Sequence, residues 1–363
     1  MSNKKLNYVK QSKIDSLLKK TDYLLMLGAR GNGKSYSAKN LIIKKCIETG
    51  KEMIYLRRYD LDCKDSVCVS YFGDCPVESM TNGEYTCIDV FRKGIFLANI
   101  NPDTGKIERG KRIGYCHALS NQEHYKSLAF PNVDYIIYEE LVSFDGRYLY
   151  NECNKLQQYI STIFRSRDNG KCILIGNTIS RLCPYYREWD LHIERLEIGQ
   201  TQLYTYHNEN GNDTRILVYM TEPLNYNSGM FFGNASKNIT AGAYEVNEQP
   251  HLPKSIIKYK ILYTLVVEYD NFKFLCQLLQ DKEDSNKVTW YVQPKTSDIQ
   301  KGTRIVSNKF YIDPLVTNDF TPLTMSERKV FNMFDDGKVC YSDNLTGADF
   351  GHVNDVFKIG KML

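Results

Sequence analysis

The sequence lacks several features that would assign a class at once, and each absence excludes something. No uninterrupted apolar run approaches the ~20 residues of a membrane span, so no membrane partner is expected. Met1-Ser2-Asn3-Lys4-Lys5 has no apolar stretch behind it, which argues against a secretory signal peptide. The 11 cysteines contain no C-x-x-C pair, and Cys63, Cys68 and Cys75 are too widely spaced for a structural zinc site. Free thiols in a reducing cytoplasm are the expectation. There is no heptad run, internal repeat or low-complexity tract. Neither sign of charge dominates: 47 Lys and Arg stand against 43 Asp and Glu, a formal net charge of +4. That balance permits a nucleic-acid partner without requiring one.

What is present supports a sizeable core. Of 363 residues 42% are hydrophobic, enough for two domains or for one large domain with an appendage. The most informative stretch is Gly28-Ala29-Arg30-Gly31-Asn32-Gly33-Lys34-Ser35. It follows the apolar run Tyr23-Leu24-Leu25-Met26-Leu27 and opens into a helix-compatible segment from Ser35 to Thr49. Strand, glycine loop and helix in that order are the setting of a G-x-x-x-x-G-K-[ST] phosphate loop. The glycines let backbone N–H groups close around β- and γ-phosphates with no Cβ in the way. Lys34 supplies a point charge and Ser35 a hydroxyl for Mg2+, which makes ATP and Mg2+ the expected ligands.

Up to about residue 207 the chain alternates strand-like and helix-like segments. Glu52–Arg58 reads as a second strand, and Ile95–Ile100 with Arg112–Cys116 as a hairpin inserted in the α/β frame. Asp134–Tyr138 is a buried strand ending in Glu139-Glu140, Glu152–Phe164 a helix, and Cys172–Asn177 another buried strand. This pattern predicts an α/β domain over 1–207 with a central, mainly parallel sheet. Residues 208–250 are rich in Asn, Gly and Ser and read as a linker with some structure of its own. Residues 251–363 predict a small α+β domain: strands over Ile261–Tyr269, Lys273–Leu279 and Thr289–Val292, turns at Asp270-Asn271 and Asp281–Lys287, and a helix over Ser326–Asp335.

Hydrolysis of a bound nucleotide needs acids on a neighbouring strand, and Glu139-Glu140 ends an apolar strand at the edge where such folds bind ligands. Glu139 would hold Mg2+ through water, and Glu140 would accept a proton from, or orient, the attacking water. Aspartate is usual at the first of these positions, so Glu139 reaches roughly one methylene further. Phosphoryl transfer also benefits from a guanidinium on the developing charge. Arg165 and Arg167 end the helix after the acidic strand and cannot both point the same way. One can reach a neighbour's nucleotide while the other pairs within its own subunit, or both can simply stabilise the helix C-terminus. Asn177, ending the next strand, can bond the attacking water or the γ-phosphate, or serve only as a turn residue.

Taken in order, the motifs are Gly28–Tyr36, Ile54–Tyr59, Phe130–Val133 running into Ile136–Glu140, Ile163–Arg167 and Ile175–Asn177. The series resembles the DNA-packaging (encapsidation) ATPases of small tailed phages, the phi29 type, which are terminase-large-subunit-like. The match covers about Tyr23 to Asp190; the later half resembles the family only in layout. The resemblance implies an ASCE-type P-loop ATPase domain followed by a linker and a small RNase H-like domain. It further implies a homomeric ring, a pentamer by analogy, docked on the portal or connector of a procapsid. That ring would hydrolyse ATP to drive double-stranded DNA inward, with or without a packaging RNA, in the host cytoplasm.

Position by position, Lys34 and Ser35 match phosphate-loop residues within a nucleotide-contacting set of Gly28, Arg30, Gly31, Asn32, Gly33, Lys34, Ser35 and Tyr36. Glu140 matches the catalytic glutamate and Arg165 the arginine that acts in trans. Arg57 matches an arginine that approaches the phosphates, and Lys126 a lysine facing DNA in the pore. Two departures stand out: Glu139 in place of aspartate, and Asp60 where the family carries a basic pore residue. Nuclease chemistry would need converging carboxylates around two metal ions. Glu268, Asp270, Asp313 and Asp319 are the available acids, and the expectation is a C-terminal domain without nuclease activity. Its aromatics Trp290, Tyr291, Phe310 and Tyr311 read as core. Two rivals are a helicase-like translocase acting on free DNA and a nucleotide-binding assembly scaffold.

Overall fold

The computed structural model describes residues 7–143, 148–165, 167–178, 183–193, 196–208, 211–224, 248–269, 272–297, 302–307, 316–317, 325, 332–334 and 336–357. Contacts divide the chain into two compact units, 1–143, 148–179 and 190–243 on one side and 144–147, 180–189 and 244–363 on the other.

In the first unit, α1 (Gln11–Leu18) precedes β1 (Tyr23–Gly28), which turns through the glycine loop into α2 (Lys34–Thr49). There follow β2 (Glu52–Arg57), α3 (Asp65–Phe72), α4 (Val77–Met80), β3 (Cys87–Phe91), β4 (Gly94–Ile100) and β5 (Ile107–Ala118). Next come α5 (Gln122–Tyr125), β6 (Val133–Tyr138), α6 (Glu152–Phe164), β7 (Lys171–Asn177), β8 (Thr201–His207) and β9 (Asp213–Met220). These strands form one sheet in the order β3-β4-β5-β2-β6-β7-β1-β9-β8. Pairing is parallel from β5 through β9, and antiparallel only where β3, β4 and β8 finish the edges. The central strands are apolar on both faces because helices cover both: Leu24 to Leu27, Ile136 to Tyr138 and Cys172 to Ile175 are all buried.

This arrangement brings the loop after β1, the acids after β6 and Asn177 of β7 to one carboxyl-terminal edge of the sheet. Strand β7 lies between β1 and β6, in register with both (Gly28 with Asn177, Tyr138 with Leu174). The expected hairpin is present as β4 and β5, with β3 added outside it.

One boundary needs correction. The first domain does not end at 207: β8 runs on into β9, and the Asn208 amide donates to the Asn212 carbonyl between them. The apolar run Ile216–Met220 then inserts beside β1, so the stretch read as a linker from 208 supplies a strand of the central sheet. Residues 180–189, carrying α7 (Pro184–Glu188), group with the second unit although they lie within 1–207.

The second unit carries β10 (Tyr259–Tyr269), β11 (Phe272–Asp281), β12 (Val288–Pro294), β13 (Arg304–Ser307), β14 (Val316–Thr317), β15 (Val339–Tyr341) and α8 (Asn344–Phe357). Its sheet order is β14-β13-β10-β11-β12-β15: three antiparallel strands flanked by parallel ones, the order expected of an RNase H-like sheet. Trp290 is fully buried and stacks on Phe334 at 4.7 Å, with Phe350 of α8 beside it. Tyr291 alternates to the other face and is half-buried. The turn at Asp270-Asn271, Asp313, Asp319, Phe310 and Tyr311 fall outside the described residues, as does most of the expected helix 326–335. Among the described residues no helix is long and apolar enough to cross a membrane.

Candidate nucleotide site

The loop after β1 owes its shape to two glycines. Gly33 caps α2 with φ +84°, a left-handed conformation that a side chain would strain. Gly28 sits so close to Thr221 that a Cβ there would meet its Oγ1 at 2.0 Å. With the backbone so wound, Lys34 points back into the loop. Its Nζ donates to Gly28 O (3.0 Å), Ala29 O (2.6 Å) and Asn32 Oδ1 (3.2 Å), and lies 3.4 Å from Asn177 Oδ1. Burial lowers the Lys34 pKa to about 8, with nearby Arg30 acting the same way and Glu139 opposing.

The two glutamates after β6 have different surroundings. Glu139 is buried; its Oε2 accepts from Ser35 Oγ (3.0 Å) and its Oε1 from Tyr71 OH (2.8 Å). Burial raises its pKa, while those two hydrogen bonds and the nearby cations oppose. Glu140 has φ +59°, and its side chain is 61% exposed. Its backbone is fixed from behind. Arg58 NH1 donates to Glu140 O (3.0 Å) and NH2 to Leu141 O (2.9 Å), and the Leu141 amide bonds Ile175 O. The remainder of that guanidinium forms a buried pair with Glu152, the first residue of α6. Arg57 lies in front, its NH2 2.7 Å from Glu140 Oε2 and its NH1 3.2 Å from Tyr55 OH.

A cavity of about 920 Å³ opens over this edge. Of the residues expected at the site, it is lined by Arg30, Gly31, Asn32, Gly33, Lys34, Ser35, Tyr36, Glu139, Glu140 and Asn177. Gly28 contributes its carbonyl to Lys34 rather than a surface, and Arg57 reaches Glu140 without lining the cavity. A buried carboxylate and a hydroxyl 3.0 Å apart at the foot of the loop are a hard-oxygen donor pair of the kind Mg2+ uses with substrate phosphates.

Arg165 and Arg167 lie beyond the other end of β7. Six residue steps along β7 separate that end, Lys171, from Asn177, about 20 Å at the usual rise. Arg167 is consumed internally by Pro131 O, Phe130 O, Ile163 O and Asp134 Oδ1. Arg165, in a positive-φ cap after α6, is exposed and donates to Leu128 O at 2.7 Å. Lys126 ends α5, half-exposed and 2.7 Å from Glu123. Asp60 bonds Lys93 Nζ and Asn121 Nδ2, both at 3.1 Å.

Sequence reading missed Tyr8, Lys39, Tyr71 and Asp74, which also line the cavity. Lys39 is buried one turn after Ser35 and pairs with Asp74 and the Tyr71 carbonyl, its Nζ 4.4 Å from the Tyr71 ring centre. Tyr71 stacks on Tyr55 at 4.2 Å. Spacing gives no sign of these partners, because α3 meets the site only through tertiary packing. A buried lysine on the phosphate-loop helix is the one usable signal: it demands a carboxylate nearby.

A glycine loop on β1, paired acids on β6 and β7 set between them define an ASCE-type P-loop ATPase fold. Residues 3–197, just over half of the chain, match the family described as podovirus DNA encapsidation protein (Gp16), and the chain belongs to that family. The DNA packaging protein of Bacillus phage B103 is 33% identical over 168 residues, 44% of this chain and 46% of that protein. The DNA packaging protein of Bacillus phage phi29 is 29% identical over 175 residues, 46% of each. The chain thus spans about half the length of the curated relatives it matches. Among solved structures, a chain of the bacteriophage Phi-29 viral genome packaging motor assembly shares the fold, with TM-score 0.58 over 98% of this chain and 100% of that one at 18% identity.

Proposed function

We propose that this chain is the ATP-hydrolysing motor that drives double-stranded DNA through a portal into a procapsid. The observation that carries the reading is the convergence of Lys34, the Ser35–Glu139 pair and Glu140 on one cavity, in a member of a DNA encapsidation family. Lys34 would give up its loop carbonyls for the β- and γ-phosphates, a stronger, charge-assisted set of acceptors. Ser35 and Glu139 would hold Mg2+, which when bound neutralises charge developing on the phosphates. Glu140 orients the attacking water once it leaves Arg57, so the pair acts as a latch on hydrolysis.

Arg165 belongs to a second subunit's site. It lies about 20 Å along β7 from its own loop and donates to Leu128 O, whereas the Arg167 guanidinium makes five hydrogen bonds within its own chain. This supports a homomeric ring, a pentamer by family analogy, seated on a portal with or without a packaging RNA, in the host cytoplasm. Lys126 would touch phosphates of the DNA in the pore. The C-terminal unit acts without nuclease chemistry: Glu268 is buried, 3.4 Å from Ser307 Oγ and 3.6 Å from Lys273 Nζ.

Steady-state phosphate release with and without DNA tests the reading. Lys34→Ala is expected to abolish turnover. Arg165→Ala is expected to be inactive alone but partly rescued when mixed with Lys34→Ala subunits, since an interface that joins the loop of an Arg165→Ala subunit to the arginine of a Lys34→Ala subunit is intact. Absence of any rescue would remove the trans arginine. Strand separation without a capsid would favour a helicase-like translocase, and negligible turnover an assembly scaffold.

A further inference from the structure

Tyr8 is held at the rim of the cavity by anchors on each side. The Val9 amide donates to Asn32 O at 3.0 Å, Ser37 Oγ donates to Val9 O at 2.5 Å, and Asn7 Nδ2 donates to Pro223 O at 3.0 Å. One side of its ring lies against Gly33, where even a Cβ would come within 3.0 Å of Cδ1. Yet the residue is 48% exposed and lines the same cavity as Lys34 and Ser35. An aromatic residue fixed this firmly and left this open has a packed side and a free side. The cavity's other tyrosines differ from it. Tyr71 is committed to Glu139 and to a stack on Tyr55, and Tyr36 rises from the first turn of α2, 43% exposed.

We propose that Tyr8 is the platform on which the nucleobase stacks, in a cavity that Tyr36 also lines. This rests on the reading of the cavity as an ATP site. Lys34 and the loop fix the phosphate end, so the base must lie toward the rim, where Tyr8 offers an aromatic face already ordered by the phosphate loop and α2. Stacking on such a face follows ring area, so Tyr8 favours purines over pyrimidines.

The test is equilibrium binding of ATP, CTP and inorganic tripolyphosphate, each with Mg2+, to the full-length protein and to Tyr8→Ala and Tyr8→Phe. Wild type is expected to bind ATP more tightly than CTP. Tyr8→Ala is expected to weaken ATP about ten-fold, the loss of one base-stacking contact, to narrow the ATP-to-CTP ratio, and to leave tripolyphosphate within about two-fold. Tyr8→Phe keeps the face and is expected to match wild type. Three results would overturn the platform: unchanged ATP affinity in Tyr8→Ala, an equal loss for tripolyphosphate (Tyr8 then only props Gly33), or Tyr8→Phe as weak as Tyr8→Ala. If wild type binds neither ATP nor tripolyphosphate, the nucleotide site itself fails, a result distinct from these three.

Discussion

Glu139 carries one methylene more than the aspartate usual at its position, and the structure shows where that length goes. The carboxylate bridges Ser35 on α2 and Tyr71 on α3, so its reach is used by a partner that an aspartate could not touch without losing the other. Glu139→Asp is therefore expected to lower turnover at least ten-fold and to raise the Mg2+ concentration needed for half-maximal phosphate release. Tyr71→Phe is expected to do the same more mildly. Glu140 differs in kind. Exposed and, among the described residues, paired with Arg57, it should tolerate Glu140→Gln without loss of ATP binding while hydrolysis falls by about two orders of magnitude or more, as single-turnover kinetics would show. The roles proposed for Lys34, Ser35 and the two glutamates were legible because each follows from local order along the chain. Tyr71 and Lys39 were not, because no spacing rule connects residue 139 to residue 71.

At the scale of elements, α6 ties the edge that carries the candidate site to the far edge of the sheet. Its first residue, Glu152, is buried against Arg58 behind Glu140, and its last turn runs into Arg165. Removing Arg58 leaves the Glu152 carboxylate buried without its counter-charge, so Arg58→Ala is expected to cost about 3–5 kcal/mol in a denaturant titration. The same helix packs on the aromatic cluster around His117, whose ring lies 4.0 Å from Tyr125 and whose Nδ1 is 2.6 Å from Tyr159 OH. Burial, helped by Lys93, pushes the His117 pKa down to about 3. The unfolded chain takes up its proton near pH 6.5 and the folded chain only near 3, so stability from neutral His117 is intact above 6.5 and drains as pH falls toward 3. The expected slope is on the order of 1 kcal/mol per pH unit in that window, and His117→Phe should flatten it. Strands β1, β2, β4, β5, β6 and β7 were readable from the sequence, as was α6 from its spacing, whereas β3 went unread and β9 was taken for linker. Strand β8 was not readable either, because its alternating exposure leaves it looking like surface.

For the whole molecule, the proposed motor makes two demands that can be measured together. Contacts to DNA through lysines such as Lys126 neutralise backbone phosphates, so DNA stimulation of phosphate release should fall steeply between 50 and 200 mM salt, in the manner of phosphate-contacting proteins, and lose part of that slope in Lys126→Ala. The full chain should also leave DNA intact in Mg2+ or Mn2+; metal-dependent cleavage would assign Glu268 a role its present partners argue against. The layout of two units was visible in composition, but the boundary at 207 was not where the first sheet ends. Polar residues 208–212 look like a break, and only the pairing of β9 with β1 reveals that the sheet continues past them.

That last pairing has a consequence for how the protein is made. Asn32, wholly buried in the phosphate loop, donates to Thr221 Oγ1 at 2.7 Å and to Glu222 O at 2.9 Å, just past β9. A chain growing on the ribosome therefore carries its loop sequence for nearly two hundred residues before the partners that shape it exist. If the loop is the nucleotide site proposed here, a released chain truncated at 207 is expected not to bind ATP in an equilibrium titration, and one truncated at 224 to bind it.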